Sequence, residues 1–195
     1  MARLFKLLFT VMAFSAVAGG LLSVLEAVTK ERIETQQLLF LKGPAVQEIM
    51  EGCSNDPLKD RLKIKEGKEE RQFFVGKFDG KPNVVAFEAY GKGYGGKIGV
   101  MVGVDINKDK IVGIAVTTHS ETPGLGARAK TEKGFKGQFK GKDINQSFKL
   151  KTEGGDVDAI SGATVTSKGV CMALEEAKNL YMRLKPEILK NLGRV

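Results

Sequence analysis

The chain has 195 residues and a formal charge of +8, with no Trp, two Cys and one His. Once an apolar N-terminal run is set aside, that length leaves one domain of ordinary size around a single core. The lysines are scattered and no Trp is available to stack bases, so the charge reads as solvated surface and no nucleic-acid partner is expected. Residues 7–25 form an uncharged, mostly apolar run of 19 residues, close to the ~20 that a helix needs to cross a bilayer. Arg3 and Lys6 precede it, and Glu26, Lys30, Glu31 and Arg32 follow in mixed sign, a modest bias that favours a cytoplasmic N-terminus. Ala16-Val17-Ala18 before Gly19 also resembles the cleavage site of an export signal. Either reading puts the remaining domain outside the cytoplasm.

Residues 31–41 and 44–50 carry helical patterning, ended by the turn cluster Gly52-Cys53-Ser54-Asn55-Asp56-Pro57. Runs rich in Val, Ile and Phe at 71–78, 84–90, 98–106 and 111–118 read as strands. Asn107-Lys108-Asp109-Lys110 is short enough to make the last two an antiparallel hairpin. A further strand is expected at 147–151. From 168 to 183, Val170, Leu174, Ala177, Leu180 and Tyr181 recur near one helical face, with Leu184 next in the series. The expected class is therefore α+β: an N-terminal transmembrane helix, then one mixed domain with an antiparallel, hairpin-containing sheet. The expected boundaries are 1–28 for the cytoplasmic N-terminus and span, 29–57 for a helical connector and 58–195 for the extracytoplasmic domain.

Cys53, Cys171 and His119 are too few for an ordinary iron–sulfur cluster or a closed Cys/His zinc site, so no metal centre is expected. The cysteines read as two independent thiols. His119 reads as a polar loop residue, since neither an orienting acid nor a nucleophile elbow accompanies it.

Three small-residue segments carry the remaining information. Gly91-Lys92-Gly93-Tyr94-Gly95-Gly96 follows a strand, but a second strand comes next, so a dinucleotide fingerprint fails on context. It reads either as a plain loop or as one whose glycines let backbone approach a planar ligand covered by Tyr94. Glu121-Thr122-Pro123-Gly124-Leu125-Gly126 is likewise a turn with two glycines. Asp158-Ala159-Ile160-Ser161-Gly162-Ala163-Thr164-Val165-Thr166-Ser167 places four hydroxyls at a helix N-terminus, where amides and the helix dipole attract phosphate. Spacing alone favours a plain N-cap. It leaves Ser161, Thr164, Thr166 and Ser167 unranked.

Taken together, these segments resemble the FMN-binding domain of the G subunit of the Rnf complex and of the related C subunit of the sodium-pumping NADH:quinone reductase. The resemblance spans nearly the whole chain, and the compact length and absence of Trp favour the Rnf branch. In that family Asp-x-x-Ser/Thr-Gly-Ala-Thr is a flavinylation signal. The resemblance implies that Asp158, Ser161, Gly162 and Ala163 form the signal and that Thr164 carries FMN through a phosphoester. It also implies that Thr122, Gly124, Leu125 and Gly126 lie beside the isoalloxazine. The residues themselves add Tyr94 as a cover for that ring, and Lys168, one turn into the helix, as positive charge near the phosphate. The implied partners are the other membrane subunits of the complex and a flavin transferase that takes FMN from FAD. The implied protein is a single-pass redox subunit of an ion-translocating complex in the inner membrane, with its C-terminal domain on the periplasmic side, and not a complete enzyme alone. Two further readings stay open: a stand-alone extracytoplasmic flavin reductase, and an anchored basic binding module without cofactor.

Overall fold

The apolar runs of the sequence form one long helix and one meandering sheet in a computed structural model that describes residues 2–67 and 69–193. The chain divides into two compact units, Met1–Phe40 and Leu41–Val195. The first unit contains α1 (Ala2–Gln37), of which Arg3–Lys30 is, among the described residues, the one helix long and apolar enough to cross a membrane. At 1.5 Å per residue, its 28 residues rise ~42 Å, against a hydrocarbon core of ~30 Å. Leu4, Phe9 and Phe14 are 72%, 74% and 73% exposed, an arrangement unfavourable in water and natural in lipid. Thr10 and Thr29 donate their hydroxyls back to the carbonyls of Lys6 and Leu25, both at 2.7 Å. A helix in hydrocarbon needs such internal partners for its polar side chains.

A π-helical turn at Leu38–Lys42 is followed by α2 (Gly43–Ile49), with Pro44 in its first turn. Five antiparallel strands come next: β1 (Arg61–Glu66), β2 (Glu69–Phe78), β3 (Lys81–Lys92), β4 (Lys97–Asp105) and β5 (Lys110–Thr118). They lie side by side in chain order. The four expected strands are present, and the 107–110 loop does join β4 and β5 as an antiparallel hairpin. Two short helices, α3 (Arg128–Thr131) and α4 (Lys133–Gly137), precede α5 (Thr164–Asn191).

β1 was not expected. Its sequence, Arg-Leu-Lys-Ile-Lys-Glu, has two apolar residues, of which Ile64 is buried; charge is ordinary on an edge strand. The strand expected at 147–151 does not form. Phe148 and Leu150 are buried in alternation, but the segment makes a single bridge from Leu150 to Val157 and then turns into a 3-10 helix at Lys151–Glu153.

The sheet separates two packing layers. Val85, Phe87 and Ala89 of β3 and Val100 and Val102 of β4 meet Val170, Leu174, Ala177 and Tyr181 of α5 in one core. The expected apolar face of α5 is thus the buried one. A β-carbon at Gly91 would overlap the Gly169 carbonyl oxygen and lie 2.8 Å from the Ala173 nitrogen, so helix and strand backbones touch there. That contact fixes the start of α5 beside the loop after β3. On the other layer α2 packs against β4 and β5, and the Lys42 ammonium pairs with Glu88 at 2.9 Å. Burial pushes the Glu88 carboxyl up, but the Thr117 hydroxyl, Lys42 and the Tyr90 hydroxyl outweigh it and hold it below the usual carboxylate value.

Candidate functional site

The start of α5 is built differently from an ordinary capped helix. Its N-cap is Ala163, with no side-chain cap, and the first intrahelical bond runs from the Ser167 amide to the Ala163 carbonyl at 2.9 Å. The amides of Thr164, Val165 and Thr166 therefore have no carbonyl partner among the described residues. The plain-cap reading fails, because none of the four hydroxyls performs that role.

The structure separates those hydroxyls. Ser167 is fully buried; its hydroxyl donates to the Ala163 carbonyl at 3.0 Å and accepts from the Ile160 amide at 2.9 Å. Thr166 is 3% exposed and donates to Glu121. Ser161 is exposed, and its carbonyl accepts from Arg128 at 3.4 Å. Thr164 is exposed, makes no hydroxyl hydrogen bond among the described residues, and lines an open cavity of about 470 Å³.

The cavity joins the three small-residue segments. Tyr94 comes from the loop between β3 and β4, Glu121, Thr122, Leu125 and Gly126 from the turn after β5, and Gly162, Ala163, Thr164, Val165 and Thr166 from the start of α5. Its rim is apolar and open: Tyr94, Leu125 and Val165 are 76%, 47% and 51% exposed. Two bonds shape the turn after β5, from the Leu125 and Ala127 amides to the Thr122 carbonyl, both at 3.2 Å. Gly126 must lack a side chain, since a β-carbon there would come 2.6 Å from both Glu121 Oε2 and Thr166 Oγ1.

Asp158, Ser161, Gly124 and Lys168 stand outside the cavity lining. The Asp158 carboxylate pairs with Lys151 at 2.8 Å, while its backbone exchanges two hydrogen bonds with the Gln138 side chain. It shapes the loop that delivers Ser161 to Thr164. Lys168 pairs with Glu153 beside Cys171 and Met172, at a separate hollow. Gly162, at φ +77, makes the left-handed turn into α5 that favours glycine.

The glycine loop serves the protein's own packing. A β-carbon at Gly93 would overlap Glu121 Oε1, and one at Gly95 would overlap the Ser120 carbonyl. Glu121 and Val165 are cavity residues that spacing alone did not single out. An acid directly before a glycine turn is ordinarily a solvated surface group; only its burial, 6% exposed, reveals it. His119 is a loop residue, accepting the Glu121 amide at 3.3 Å on Nδ1. Cys53 and Cys171 are both free. Burial, with Glu153 and Asp156 adding, pushes the Cys171 thiol up to about 12.

Residues 93–179, which include every cavity-lining residue, match a family model described as FMN-binding domain. The G subunit of the ion-translocating oxidoreductase complex of Escherichia coli (strain K12) is 32% identical over 193 residues, covering 94% of this chain and 93% of that protein. The chain belongs to this G-subunit family. The family's protein from Vibrio parahaemolyticus serotype O3:K6 is 29% identical over 191 residues, covering 92% and 90% of the two chains. The crystal structure of Shewanella oneidensis NqrC superposes with a TM-score of 0.53 at 27% identity, covering 69% of this chain and 70% of that one. The G-subunit matches cover more than nine-tenths of this chain, whereas the NqrC likeness covers a smaller share.

Proposed function

We propose that this chain is the membrane-anchored electron-transfer subunit of an Rnf-type ion-translocating oxidoreductase complex, carrying FMN bound through a phosphoester to Thr164. The observation that carries this reading is the state of the Thr164 hydroxyl: exposed, without a partner among the described residues, and lining the cavity at the start of α5. Of its rivals on spacing, Thr166 and Ser167 are buried and engaged, and Ser161 stands outside the cavity lining.

The residues fit the cofactor. The cavity volume falls within the ~300–1,000 Å³ of small-molecule sites. Leu125, Ala163 and Val165 offer apolar wall, and Tyr94 and Thr122 flank it. The three amides at 164–166 and the N-terminal dipole of α5 suit a phosphodiester charge, by an amount on the order of 1 kcal/mol when partly exposed. FMN, when bound, supplies reversible electron transfer that needs no protein nucleophile. The chain's own residues have three tasks: to hold the phosphate, to orient the ring and to leave an edge open. A covalent link removes the need for tight binding outside the cytoplasm, where a dissociated flavin would be lost.

In this reading Asp158, Ser161, Gly162 and Ala163 form the signal for a flavin transferase. Thr164 would take the FMN phosphoryl group from FAD through its hydroxyl oxygen, with AMP and the hydroxyl proton released. Residues 1–28 are the cytoplasmic N-terminus and inner-membrane span, 29–57 a connector, and 58–195 a periplasmic flavin domain that meets the other membrane subunits. Thr164→Ala tests the attachment: covalent flavin fluorescence in a denaturing gel is lost, whereas Thr166→Ala retains it. Fluorescence persisting in Thr164→Ala defeats the assignment.

A further inference from the structure

Glu121 touches all three segments of the cavity. One carboxylate oxygen, Oε1, accepts the Gly95 amide at 2.9 Å from the loop after β3. The other, Oε2, accepts the Thr166 hydroxyl from the first turns of α5. The residue itself belongs to the turn that continues into Thr122, Leu125 and Gly126. Both neighbouring glycines are shaped to it, since a β-carbon at Gly93 or Gly126 would collide with its oxygens. At 6% exposed it is a buried polar group with both oxygens engaged as acceptors, the pattern of a carboxylate. Among the cavity-lining residues it is the sole carboxylate, and none of them is a Lys, Arg or His.

We propose that Glu121 is a positioning and potential-setting residue of the cavity. Its two acceptor bonds hold the Gly95 loop and the start of α5 in one frame, and its buried charge lowers the reduction potential of the redox group that the cavity holds. The physical reason is direct: reduction adds electron density beside a fixed negative charge in a medium less polar than water, where charges act strongly on one another. The inference rests on the reading of this cavity as the flavin site.

Two substitutions separate frame from charge. In Glu121→Gln the amide oxygen still accepts from Gly95, and the amide nitrogen can donate to a Thr166 hydroxyl turned the other way, so the frame is kept and the charge removed. In Thr166→Val one bond of the frame is cut and the charge kept. The experiment is a spectroelectrochemical titration of the detergent-solubilised, flavin-loaded full chain, with thermal unfolding of each variant. The expected result is a flavin midpoint potential raised in Glu121→Gln at near-unchanged melting temperature, and a potential not raised in Thr166→Val despite a lowered melting temperature. A Glu121→Gln potential equal to that of the parent overturns the proposal. So does an equal rise in Thr166→Val. Parent protein without flavin defeats the cofactor reading itself, a result distinct from either.

Discussion

The two ends of α5 treat polar groups in opposite ways. Toward its C-terminus the Tyr181 hydroxyl donates to Asp109 at 2.7 Å and the Lys185 ammonium reaches the same carboxylate at 2.6 Å. Arg183 grips Glu66 of β1 nearby. At the N-terminus three amides and the Thr164 hydroxyl have no partner among the described residues, beside an open cavity. One end uses its polar groups to bind the helix to the sheet. The other leaves the Thr164 hydroxyl and three amides open to a ligand, while Thr166 and Ser167 and the glycine contact at Gly91 and Gly169 hold that end in place.

Thr164→Ala sharpens the contrast most. It should abolish covalent flavin while changing stability by no more than about 0.5 kcal/mol, because no cap is lost; a capping residue would cost about 1 kcal/mol. Gel fluorescence and urea unfolding of the same preparation read both quantities. Gly91→Ala breaks the contrast from the other side, since its methyl overlaps helix backbone. A loss of about 3 kcal/mol is expected in denaturant unfolding, and the flavin site should be disturbed with it.

Tyr181→Phe should cost about 2 kcal/mol, the worth of a hydrogen bond to a charged group, and leave flavin content intact. A fall in flavin content would mean that the two ends are not independent. The smallest effect concerns acid. Burial pushes Asp109 up, but Lys185 and Tyr181 outweigh it and hold it below its ordinary 3.8. A carboxyl depressed in the folded state contributes stability that is present above its unfolded value and lost as pH falls through its folded one. Unfolding midpoints should therefore drop below about pH 4, as 3.8 implies, and Asp109→Asn should flatten part of that drop.

The sequence patterns differ in what they reveal for a similar reason. β2 to β5 were legible because Val, Ile and Phe runs bounded by turn residues bury on both sheet faces. β1 was not, because an edge strand with four charged residues of six resembles a loop until its partner is known. At 147–151 the alternation of Phe148 and Leu150 was real, but burial in alternation does not require a ladder. In the site, the three small-residue segments were recognisable and do converge. Thr164 and Thr166, two residues apart, were indistinguishable by spacing, and only burial separates them. Glu121 was illegible for a deeper reason: its partners, Gly95 and Thr166, lie 26 and 45 residues away, so no local pattern could mark it.

Peptide mass spectrometry of the tryptic fragment spanning residues 152–168, from protein purified out of a host with its flavin transferase, tests the central claim most directly. The account predicts that fragment carrying the mass of FMN less one water, with fragment ions confining the added mass to Thr164. An unmodified fragment from the yellow protein, or added mass on Ser161, Thr166 or Ser167, would contradict it.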